Sequence, residues 1–120
     1  MPETAPNAFA ADCPTRDIVA RLAEKWTMLT LAALMQGPMR FGALRRMIEG
    51  VSQKMLTKTL RKLEQDGLVT RTVFDEMPLR VEYSLTPLGV SCAELVNEIK
   101  VWAEHNMHEL LSTRQTNLSS

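Results

Sequence analysis

Ser52, Gln53, Lys54, Thr57, Lys58 and Arg61 lie in a run, Ser52 to Lys62, that contains no acid. Such a set suits a polyanion whose edges can be read. A glutamine amide can pair with adenine through two hydrogen bonds, and lysine or arginine can read guanine or neutralise a phosphate. Arg40 ahead of the run, and Arg71 and Arg80 beyond it, are candidates for backbone phosphates or the flanking minor groove.

Thiol chemistry has two candidates. Cys13 precedes Pro14-Thr15-Arg16-Asp17, which reads as a helix start, and a helix N-terminus beside Arg16 favours the reactive thiolate. Cys92 falls on an apolar stripe and reads as a small buried hydrophobe. His105 and His108, flanked by Glu104 and Glu109, supply two metal ligands without a third, so they read as solvated helix-end residues. No Gly-rich phosphate loop, nucleophile elbow or zinc spacing is present, so no catalytic residue, metal or cofactor is expected, and the chain does not read as an enzyme.

The 120 residues amount to about one domain. At 45% hydrophobic but 5% aromatic, with eight Met, the core must be aliphatic, and the composition is not that of a disordered chain. Two Cys cannot staple a secreted mini-domain, no apolar run approaches the ~20 residues of a membrane helix, and Met1 to Ala11 lacks the order of a signal peptide. A reduced, cytoplasmic protein is the expectation. The 14 basic and 14 acidic side chains balance overall but not locally. Residues 40–80 hold nine cations against five acids, and residues 81–120 hold two against five. A polarised surface of this kind steers polyanions.

These residues need elements to position them. Residues 1–12 are rich in Pro, Ala and Asn and read as a flexible arm. Apolar spacing then predicts a helix over 15–24, a buried helix over 26–35 stopped by Gly37-Pro38, and a short helix over 41–48 stopped by Glu49-Gly50. Ser52 is a natural N-cap for a helix to Gln65, in which Leu56, Leu60 and Leu63 lie within ~60° of one another and must face a core. Residues 68–74 and 81–86 read as two strands of a hairpin with Arg80 in its loop. Thr86-Pro87 opens a last helix whose apolar positions continue to Leu111, roughly 25 residues and about 37 Å. Residues 112–120 read as a polar tail. The predicted class is α+β and mostly helical: short helix, tight turn, basic-faced helix, two-stranded wing, long C-terminal helix.

The blocks CP at 13–14, EKW at 24–26, RFGALRRMI at 40–48, GVSQKMLTKTLRKLEQDGLVTR at 50–71 and RVEYSLTPLG at 80–89 together resemble the HxlR-type family of winged helix-turn-helix regulators. The resemblance covers roughly residues 13–105. It implies a dimeric bacterial transcription factor on a pseudo-palindromic operator, with Ser52 to Gln65 as recognition helix and Asp75 to Arg80 as wing tip. It also implies that Cys13 stands where several members carry a switch for oxidants, quinones or other electrophiles. Ala23-Glu24 departs from the two glycines that many members have there, and leaves open whether the first two helices break or run on.

A small domain does not need so long a terminal helix to close its core. Trp102, Met107, Leu110 and Leu111 are therefore expected to join the N-terminal helix in a homodimer seam, residues 87–111 being the dimerisation helix of a domain over 13–111. Two rivals to an electrophile-responsive regulator stay open: one that binds a small molecule at the dimer interface without cysteine chemistry, and a protein-interaction adaptor that binds no DNA.

Overall fold

Burial follows the leucines. In the computed structural model, which describes residues 5–119, Leu31, Leu34, Leu44, Leu56, Leu60, Leu63 and Val96 form a core between packed helices. The elements are α1 (Pro14–Leu22), α2 (Lys25–Leu34), α3 (Phe41–Met47), α4 (Gln53–Gln65), β1 (Val69–Phe74), β2 (Arg80–Leu85) and α5 (Pro87–Ser119). This is the expected α+β winged arrangement with a long C-terminal helix.

The first two helices break. Glu24 adopts an extended conformation, and its carboxylate accepts from the Thr27 N–H at 2.9 Å and from the Thr27 hydroxyl at 3.2 Å. A capping side chain thus replaces the flexibility of glycine. Partial burial raises the pKa of this carboxyl, but the Trp26 and Thr27 N–H groups, the Thr27 hydroxyl and the nearby Lys62 charge outweigh it and leave the pKa lowered.

Between α3 and α4 the chain turns at Gly50, whose φ of +91° is the left-handed conformation that side chains resist. Ser52 then caps α4, its hydroxyl accepting from the Met55 N–H at 3.0 Å. Leu56, Leu60 and Leu63 are buried as their spacing requires.

The wing is an antiparallel pair running from Val69↔Leu85 to Phe74↔Arg80. A third segment joins it, because Met39 and Tyr83 exchange backbone hydrogen bonds of 2.9 and 2.8 Å. Sequence patterning did not reveal this single-residue bridge, which ties the wing to the entry of α3.

Thr86 links three elements at the start of α5. Its hydroxyl donates to the Gly67 carbonyl at 2.6 Å and accepts from the Gly89 N–H at 3.0 Å. Gly89 is required by contact, since a Cβ there would lie 1.9 Å from the Leu68 carbonyl oxygen.

One boundary differs from expectation. Segment 112–120 does not leave the helix as a tail: α5 continues through Ser119, 33 residues in all, and Ser120 lies outside the described residues. Polar composition is no helix stop without Gly or Pro, and the Thr113 and Thr116 hydroxyls bond back to the Glu109 and Ser112 carbonyls. Within the arm, residues 1–4 lie outside the described residues, while residues 7–12 turn back on α1. The Arg16 guanidinium holds them by donating to the Ala8 and Phe9 carbonyls at 3.2 and 2.8 Å.

Candidate nucleic-acid interface

The outward face of α4 is assembled by the burial of its inward one. With the leucines facing the core, Gln53, Lys54, Lys58 and Arg61 are exposed and Thr57 is half-buried at their base. Among the described residues no acid pairs with Lys54, Lys58 or Arg61. These side chains border a shallow, open concavity that Lys62 and Gln65 complete. Lys62 and Gln65 were not among the sequence-predicted residues. The signal for Lys62 was available, because Lys54, Lys58 and Lys62 recur every four residues and so share one side of a helix.

Arg40 is exposed at the start of α3, close enough to the wing to act electrostatically on Glu76. Arg71 is exposed on β1, opposite Tyr83 and without an ion pair among the described residues. Ser52 sits at the helix start, its oxygen engaged by the cap.

Arg80 stands apart. It is the first residue of β2 rather than part of the loop, and its charge is committed. Nη2 and Nε donate to the two Glu76 oxygens at 2.9 and 3.2 Å, and Nη1 donates to Glu82. The guanidinium carbon lies 3.8 Å from the centroid of the Phe74 ring. Hydrogen bonds from Arg80 hold the Glu76 carboxyl below the ordinary glutamate range, and that contact raises the arginine in turn.

Cys13 is the N-cap residue of α1 and is half-buried under the returning arm. Its sulfur accepts from the Asn7 N–H at 3.3 Å and lies 3.3 Å from the Thr15 hydroxyl. These contacts, Asn7 foremost, lower the thiol pKa. Burial raises that of Cys92, which is half-buried in an apolar cleft with Ile18, Leu22, Leu68, Leu88 and Leu95.

His105 and His108 are exposed, and among the described residues no group of three His, Cys, Asp or Glu could hold a metal ion. No helix among the described residues is long and apolar enough to cross a membrane. On α5, Trp102 is 59% exposed, and Leu88, Leu95, Ile99, Met107, Leu110 and Leu111 are also open to solvent in the single chain. On α1, Ile18 and Val19 are exposed and no residue is buried.

Comparison with known proteins agrees with this geometry. Residues 21–110 match the HxlR-like helix-turn-helix family. The uncharacterised HTH-type transcriptional regulator YtfH of Escherichia coli (strain K12) is 45% identical over 108 residues, covering 90% of this chain and 86% of that protein. The structure of ytfH from Salmonella typhimurium superposes with a TM-score of 0.86 at 41% identity, covering 92% of this chain and 99% of that one. The redox regulator HypR in its oxidised form superposes with a TM-score of 0.72 at 37% identity, covering 78% and 97%. A winged helix-turn-helix fold, a recognition-type helix with free cations and relatives of this kind lead to one assignment: the chain belongs to the HxlR family of helix-turn-helix transcriptional regulators, a family of DNA-binding proteins and not of enzymes.

Proposed function

We propose that this protein regulates transcription in the bacterial cytoplasm by binding a pseudo-palindromic DNA operator as a homodimer. The observation that carries the reading is the exposed, acid-free face of α4, with Lys54, Lys58 and Arg61 unpaired among the described residues. In the major groove, Gln53, Lys54, Thr57 and Lys58 face base edges. Arg61, Lys62, Arg40, Arg71 and the Ser52 helix start line the phosphates.

The dimer reading rests on α5. Leu88, Leu95, Ile99, Trp102 and Leu110 fall within about 80° of one another at 100° per residue, and all are exposed in the single chain. A second copy would cover this stripe together with Ile18 and Val19 of α1, and the two-fold axis would set two recognition helices about 34 Å apart.

Cys13 is the proposed sensor of oxidants or electrophiles. Its support is the lowered thiol pKa at the start of α1, alongside kinship with a redox regulator. A small-molecule effector is the second reading, favoured by the apolar α1–α5 cleft, and needs no cysteine chemistry.

Selection of genomic fragments by the purified protein, followed by binding titrations with and without diamide, tests the set. The expected outcome is a two-fold-related site, two chains per site, and a diamide response lost in Cys13→Ser. Failure to enrich any sequence over bulk DNA would reject operator binding. One chain per site would reject the dimer, and an equal diamide response in both proteins would reject the sensor.

A further inference from the structure

The wing carries two arginines on opposite faces of one ribbon. Arg71 stands three residues from Phe74 along β1, and side chains alternate along a strand, so Arg71 and Phe74 point to opposite sides. Arg80 pairs across the ladder with Phe74 and shares its side. There its guanidinium is stacked on the ring and forked between Glu76 and Glu82. The tip it closes is apolar and acidic: Met77 is 99% and Leu79 64% exposed, and Asp75 and Glu76 are exposed beside them. Releasing Arg80 to a phosphate would uncover two carboxylates next to a polyanion. Arg71 can meet a phosphate with no such loss.

We propose that Arg80 is a positioning residue, which holds the wing in one geometry through Phe74, Glu76 and Glu82, and that the wing's phosphate contact is Arg71. This inference rests on the DNA-binding reading above. A planar fork suits the arrangement, because a guanidinium lays its face on a ring while its edge donors reach two carboxylates in fixed geometry, whereas a lysine ammonium is a point charge on a flexible stem. The tip connection, residues 75–79, has no other ion pair among the described residues to hold it.

The test measures operator affinity of the full chain against salt concentration for wild type, Arg71→Ala, Arg80→Ala and Arg80→Lys, with amide exchange over the hairpin as a second readout. Each phosphate contact contributes about 0.9 to the log–log salt slope. Arg71→Ala is expected to reduce the slope by about that amount. Arg80→Ala is expected to speed hairpin exchange and weaken operator binding about tenfold, the ordering cost of roughly one residue of a loosened wing, with the wild-type slope kept because Arg71 still reaches its phosphate in the bound state. Arg80→Lys is expected not to restore either property. A slope lowered in Arg80→Ala and restored in Arg80→Lys would identify Arg80 as a phosphate ligand and overturn the proposal. Faster hairpin exchange with unchanged affinity would overturn it too, by reducing Arg80 to a purely structural role. If wild type itself binds no DNA, the underlying reading has failed, and the controls distinguish that case.

Discussion

Arg61 on α4 and Arg80 at the wing are the same residue in opposite surroundings. Arg61 projects from a helix whose outer face bears no acid over Ser52 to Lys62, and the buried leucines behind it leave its charge for an outside partner. Arg80 sits in a hairpin end that brings Glu76 and Glu82 within reach and places a ring against its plane. One guanidinium is available and the other is consumed. Cationic composition therefore says little about a nucleic-acid surface until the acids near each cation are known.

Three experiments break or sharpen that contrast. The largest effect is expected from Leu60→Ala, which removes the support behind α4. Leu60 is 2% exposed, and truncation of such a leucine costs about 2–5 kcal/mol of stability. Denaturant unfolding measures it, and a loss under 1 kcal/mol would mean that the outer face does not depend on its apolar backing. Next come Lys58→Ala and Arg61→Ala, each expected to weaken operator binding by about 1–3 kcal/mol with folding intact. Unchanged gel-shift affinity for both would remove α4 as the reader.

The smallest effect concerns pH. The Glu76 carboxyl is held below its ordinary range, chiefly by hydrogen bonds from Arg80. A depressed folded-state pKa means that this contact's contribution is complete above the unfolded glutamate value and is lost as pH falls through the folded one. Hairpin amide protection should therefore survive to a pH below the usual glutamate midpoint. Loss of protection at or above that midpoint would show that the clamp does not hold the wing in solution.

Much of this was legible in the sequence, because local rules wrote it. Leucine spacing faced α4 correctly, Ser52 and Thr86-Pro87 marked helix starts, and the alternation of Val81, Tyr83 and Leu85 marked β2. What failed was local absence read as structure. Polar residues after Leu111 continue the helix, since nothing among them stops it.

By itself the sequence determined the order of elements and both the buried and the cationic side of α4, because periodicity and capping act over a few neighbouring residues. Only the tertiary structure decided which cations are free, that Met39 joins the wing, that Glu24 can break two helices without glycine, and that Gly89 lies against the Leu68 carbonyl. Those outcomes depend on how groups meet in space, across the hairpin tip, between distant segments or against backbone, and no periodicity encodes them.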